Sequence, residues 1–143
     1  PKAFPFTKPK VDGLNFSFSG LKTQILYFIQ KNVAENPNFI EENKADICAS
    51  IQYTIINILM DKLKLAVAET GINQIAIGGG VSANSGIRTT LKEAEKKYGW
   101  KTYIPKFEYT TDNAAMIGIV GYYNFLEENF SNAEITSKAR IEF

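Results

Sequence analysis

The chain of 143 residues contains no histidine, and so lacks the commonest side-chain general base and metal ligand. It has one cysteine, Cys48. No disulfide can close within it, which fits a reducing compartment and a cytoplasmic location. No apolar run reaches the ~18 residues needed to span a bilayer, so no membrane partner is expected. No signal-peptide pattern is visible. Sixteen lysines and arginines face fifteen aspartates and glutamates, a net charge of +1. That balance gives no broad electrostatic footprint for nucleic acid, while leaving room for a local basic patch. The chain opens on Pro1 and not on methionine, which suggests a piece of a longer protein.

What is present reads as an ordinary globular domain. Apolar residues make up 45% and charged residues 22%. The length suits one domain, 1–143, with a real core. Residues 1–18 hold three of the five prolines and read as an extended arm. Ser19 is a candidate cap for a helix from about Gly20 to Asn32, with Leu21, Ile25, Phe28 and Ile29 on one face. Asn36-Pro37 breaks it. A second helical pattern runs from about Phe39 to Glu69, as one long helix or as two with a bend. Gly71 is a good residue just past its end.

The character then changes. Gln74 to Ile77 reads as a short buried strand. From Asn84 to Tyr98 the period is helical again. Ile87, Leu91, Ala94 and Tyr98 face one way, and Arg88, Lys92, Glu95 and Lys96 face out. Lys101 to Pro105 reads as a second strand, and Thr110 to Asn129 as a last helix. Strand, glycine turn, helix, strand and helix form a parallel βαβ unit. The fold expected is α/β, helix-rich, with a small and mostly parallel sheet. The tail, Ser131 to Phe143, carries little periodicity.

Between the first strand and its helix stand Gly78, Gly79 and Gly80. Each glycine inside an element costs roughly 0.5–1 kcal/mol relative to alanine. Either the turn is unusually tight or something must come very close to the backbone. The position, at the carboxyl end of a parallel strand, is where open α/β sheets bind ligands. The next helix N-terminus favours negative charge. The segment is neither GxGxxG nor a P-loop, so spacing alone leaves nucleotide or anion binding and a plain turn both open. Asn84 is similarly double: a helix cap, or an amide matched to a ribose or an adenine edge.

Two further stretches carry chemistry. In "TTDNAAMIG", Thr110 to Gly118, Asp112 is either a carboxylate complementing the dipole of a helix's first turn or a hard oxygen ligand for a divalent metal. Ala114, Ala115, Gly118 and Gly121 make that helix thin enough to pack close to a neighbour. In "FSFSGLKT", Phe16 to Thr23, Ser17, Ser19 and Lys22 either line a polar site, or Ser19 caps and Lys22 is solvated.

Taken together and in order, "GLNFSFSGLKT", "GGGVSANSGIR" and "TDNAAMIG" resemble characteristic segments of the tRNA adenosine threonylcarbamoyltransferases, formerly described as O-sialoglycoprotein endopeptidases or glycoproteases. The resemblance runs from about Pro9 to the C-terminus and corresponds to roughly the last two-fifths of a full-length member. It implies an actin-like ATPase (ribonuclease H-like) domain, kin to sugar kinases and heat-shock ATPases. It also implies a reaction: transfer of a threonylcarbamoyl group from threonylcarbamoyl-adenylate to the exocyclic amine of the adenosine 3′ of the anticodon in tRNA. By resemblance, Gly78, Gly79, Gly80 and Asn84 bind the adenylate (or ATP), with Ser19 and Lys22 as further candidates. Asp112 matches the family's metal-binding aspartate, the metal being iron or zinc. Other partners implied are the family's companion proteins of the modification complex.

One departure is as informative as the matches. Family members hold the metal with that aspartate and two histidines of an HxxxH helix in their first half, and this chain has no histidine. The upstream phosphate-binding loops are missing as well. The expectation is therefore a C-terminal fragment of a two-domain enzyme, separated from its N-terminal domain and inactive alone. Two other readings stay open: another actin-like enzyme, such as a kinase or carbamoyltransferase, or a non-catalytic assembly module. A protease reading has no support, since no HExxH is present.

Overall fold

The computed structural model describes residues 3–132 and 134–136. Most of the aperiodic tail, 131–143, lies outside them. Helix α1 spans Ser19–Glu35 and α2 spans Phe39–Thr70. The choice between one helix and two is resolved as a single 32-residue rod, about 48 Å long at 1.5 Å per residue. Asn36-Pro37 separates the helices because the residue before a proline is driven out of the helical region. Glu41 and Glu42 sit in the first turn of α2, where negative charge is favoured. Gly71 ends it in the left-handed conformation, φ 71°, and its N–H donates to the Val67 carbonyl.

Strand β1 (Gln74–Ala76) pairs in parallel with β2 (Lys101–Tyr103), Ile75 opposite Thr102. The parallel pairing expected from the βαβ pattern is what the structure contains. Both strands are shorter than the sequence suggests. Beyond Tyr103 the ladder meets Pro105, which has no N–H to give. Beyond the bond from Ile77 N–H to the Tyr103 carbonyl, the first strand turns away into the glycines. Helix α3 (Ser85–Tyr98) joins the strands and ends at Gly99, again left-handed.

The core lies where α2, α3 and the strands meet. Met60, Ile75, Ile87, Leu91, Ala94 and Trp100 are buried together. Ile87, Leu91 and Ala94 take the inner face of α3 as expected, while Tyr98 stays exposed against the Trp100 ring, centroids 5.2 Å apart. A second cluster is aromatic. Phe4 and Phe6, from the segment before α1, pack with Phe28 of α1 and Phe39 of α2 at centroid distances of 5.0 to 5.8 Å. Residues 3–18 form no helix or strand. They are tied down by Thr7 on Gln24 and by Lys62 on the Val11 carbonyl.

The last helix, α4, spans Ala114–Leu126 and begins four residues later than its pattern suggests. None of its residues is buried, and nothing stands within 4 Å of where a Cβ would sit on Gly118 or Gly121. A helix apolar on every side is ordinarily one that a larger core surrounds.

Glu95 is another departure, since it does not simply face water. Its carboxylate accepts from the hydroxyl and the N–H of Thr102, and it pairs with Lys92 at 3.0 Å. The Thr102 hydroxyl first, and Lys92 next, hold its pKa at about 2 against an ordinary 4.5. A lowered carboxylate pKa adds stability above the ordinary value, which is lost as pH falls through the folded one. Thermal unfolding of the protein and of Glu95→Gln should therefore differ most near neutral pH and converge as pH drops from about 4.5 towards about 2. A gap that stays constant across that window would show the contact to be inert.

Candidate functional site

Because β1 and β2 are parallel, the segments that follow them leave the sheet at the same edge. One is the glycine loop, which runs into a short 3-10 turn, Gly80–Ala83, and then α3. The other passes Pro105, a second 3-10 turn at Phe107–Tyr109, and Asp112 before α4. Arg88, on the first turns of α3, ties the two together. Its Nε donates to the Ser82 carbonyl at 2.7 Å and its Nη2 to the Pro105 carbonyl at 2.9 Å. Sequence periodicity placed Arg88 on the solvent face, but here it is half-buried and joins both loops.

The three glycines separate into two kinds. Gly79 needs to be glycine for its backbone, with φ +76°, a region that strains any side chain. Gly78 and Gly80 have no such need, and a Cβ on either would meet nothing within 4 Å. A tight turn thus accounts for one glycine of three. Exposed backbone bordering open space is what remains at the other two, and it is the arrangement that lets a ligand lie on the main chain.

Asn84 caps α3. Its Oδ1 accepts from the Ile87 N–H at 3.0 Å, and its Nδ2 donates to Gln52 Oε1 of α2, also at 3.0 Å. The cap and the polar-contact readings therefore coexist in one side chain. Asn84 and Gln52 are the polar members of a cavity of about 300 Å³, otherwise walled by Ile51, Ile55, Ile56 and Val81 among others. Gly86 lies under the pair. A Cβ there would come within 3.2 Å of Asn84 Oδ1 and 2.7 Å of Ile56 Cδ1.

Ser19 does not cap α1. The cap position is Phe18, which offers no side-chain bond, and exposed Ser19 is the first helical residue. The helix starts one residue earlier than the pattern suggests because the Phe18 carbonyl already accepts the first helical bond, from the Lys22 N–H at 3.0 Å. Lys22 is exposed, on the rim of an apolar groove of about 620 Å³ between α1 and α2 that Val81 also borders. Lys22 thus stands near the glycine loop, and Ser19 does not line this groove.

Asp112 is exposed and precedes α4 rather than occupying its first turn. The cap belongs to Asn113, whose Oδ1 accepts from the Met116 N–H at 3.2 Å. The helix begins late because Thr110 is spent on the preceding turn, its hydroxyl donating to the Phe107 carbonyl. Among the described residues no three His, Cys, Asp or Glu side chains gather into a metal-holding group. Asp112 by itself therefore does not fit a complete iron or zinc centre. No helix among the described residues is long and apolar enough to cross a membrane.

Residues 2–119 match the family model TsaD, tRNA N6-adenosine threonylcarbamoyltransferase. Three curated relatives carry that same description. The one from Christiangramia forsetii is 66% identical over the whole chain, which covers 42% of that relative. The one from Riemerella anatipestifer is 55% identical over 99% of the chain and 42% of its own length. The one from Clostridium beijerinckii is 41% identical over 97% of the chain and 40% of its own.

Proposed function

The chain belongs to the tRNA N6-adenosine threonylcarbamoyltransferase family, and from that premise we propose that it forms the C-terminal part of such a transferase. It spans about two-fifths of the length of the relatives it matches. Its helix-rich α/β fold with a small parallel sheet is that of the actin-like ATPase (ribonuclease H-like) class. The whole protein, on this reading, moves a threonylcarbamoyl group from threonylcarbamoyl-adenylate to the N6 amine of the adenosine 3′ of the anticodon in tRNA. The 143-residue chain supplies the nucleoside-holding surface, and an N-terminal domain supplies the rest. Companion proteins of the modification complex are the further partners, and the cytoplasm the place of action.

The observation that carries the reading is the open space against Gly78 and Gly80, next to an amide-capped helix at the carboxyl edge of a parallel strand pair. The adenylate lies along the main chain of Gly78, Gly79 and Gly80, where no Cβ holds it off. The Asn84 amide meets it with the donor and acceptor capacity left over from capping. Lys22, at the rim of the neighbouring groove, is a further candidate contact; Ser19, which neither caps α1 nor lines that groove, is a weaker one. Asp112 contributes one carboxylate to an iron or zinc centre whose other ligands this chain does not contain, so its own residues hold no such centre unaided.

The test is Asn84→Ala in the full-length protein. Adenylate affinity should fall by about 1–3 kcal/mol, the loss of a hydrogen bond to a buried partner. Folding stability should fall by only ~1 kcal/mol, the value of a cap. Titration calorimetry beside chemical denaturation separates the two. Unchanged affinity with a clear stability loss would reduce Asn84 to a cap.

A further inference from the structure

A side-chain amide offers two N–H donors and two acceptor lone pairs, and rotating it exchanges one kind for the other. At Asn84 the exchange is blocked twice. The Ile87 N–H requires an oxygen on the α3 side. The Gln52 carbonyl, reaching across from α2, requires an N–H on the other. One lone pair and one N–H are left, in the cavity of about 300 Å³ that both residues line. Gly86 leaves the room, since a Cβ there would stand 3.2 Å from Asn84 Oδ1 and 3.3 Å from Gln52 Nε2.

We propose that Gln52 is a positioning residue, its side-chain carbonyl holding the Asn84 amide in the one orientation that meets an adenine nucleoside. The proposal rests on the reading of Asn84 as an adenylate contact. The cap alone anchors one atom of the amide and leaves it a hinge. The second anchor removes the hinge before the ligand arrives, so ordering the side chain is no longer charged to binding. Gln52 acts through Asn84 and makes no contact of its own with the nucleoside.

The experiment is a titration of the full-length protein with adenosine, an uncharged probe that keeps phosphate repulsion out of the comparison. Gln52→Leu, which has no acceptor, and Gln52→Met as a second variant with only a weak thioether acceptor, should raise the Kd about two- to twelvefold, the cost of fixing one side chain on binding. Gln52→Glu keeps an acceptor for Asn84 Nδ2 and should bind adenosine close to the parent value. The double variant Gln52→Leu with Asn84→Ala should bind no more weakly than Asn84→Ala alone, because a positioning residue has nothing left to position. Thermal midpoints should stay near the parent's for the Gln52 variants, since the cap on Ile87 remains. Additive losses in the double variant, or failure of Gln52→Glu to restore binding, would overturn the proposal. An unchanged Kd in Gln52→Leu beside a weakened Asn84→Ala would overturn it and spare the site. An unchanged Kd in Asn84→Ala would remove the site and the proposal with it.

Discussion

The 143-residue chain on its own is expected to transfer no threonylcarbamoyl group to tRNA, whether iron or zinc is supplied. The resemblance places the metal on one aspartate and two histidines, and this chain has no histidine at all. A lone exposed carboxylate does not hold a transition metal, because such sites draw on several nitrogen, sulfur or oxygen donors at once. Among the described residues no other acidic or thiol groups gather to take the missing places. The loops that would hold the donor's phosphate are also expected upstream, and the relatives are more than twice as long as the part matched. The check is an assay with unmodified tRNA and preformed threonylcarbamoyl-adenylate, with the purified chain compared with the full-length protein. Turnover by the chain free of full-length enzyme would sink the division of labour proposed here. Tight metal binding at Asp112 in the isolated chain would weaken it.

Local signals carried the centre of the molecule. The change from helical to strand period at Gln74 is visible because Ile75, Ala76 and Ile77 run together without helical spacing. The buried strand that this run suggests is only partly realised, since Ile75 alone is buried in β1 while Gln74 and Ala76 are exposed. Gly71 and Gly99 mark helix ends because the left-handed residue there takes glycine at no steric cost. Asn84 is legible as a cap because a short amide before an apolar helical pattern has a local partner three residues on. The contacts that complete the site are different in kind. Arg88 reads as a solvated charge beside Ile87, yet its two acceptors are 6 and 17 residues away. Gln52 is 32 residues from Asn84. A pattern confined to one helix does not encode where that helix lies against another. Element ends were lost for a related reason. Thr110 and Thr111 look like the start of α4, but the Thr110 hydroxyl is already committed to the Phe107 turn, and Asn113 takes the cap.

That shift in the cap sharpens what Asp112→Asn should do in the full-length protein. Were Asp112 the helix cap, asparagine would replace it almost without loss, because the two cap about equally well. The structure gives the cap to Asn113, so the substitution leaves the α4 start untouched and stability should stay within about 0.5 kcal/mol, as for surface changes away from special features. Size and hydrogen-bonding reach are also kept. What goes is the negative charge and one of the two carboxylate oxygens, the features a divalent cation selects. Metal content by elemental analysis should therefore drop well below one equivalent. Transfer to unmodified tRNA should fall on the order of a hundredfold or more, since a catalytic metal is worth several kcal/mol of barrier. The two readouts must move together: lost transfer with full metal occupancy would place Asp112 at the substrate and not at the metal. Full occupancy and full activity in Asp112→Asn would remove it from the site altogether, leaving an exposed aspartate that merely precedes a helix.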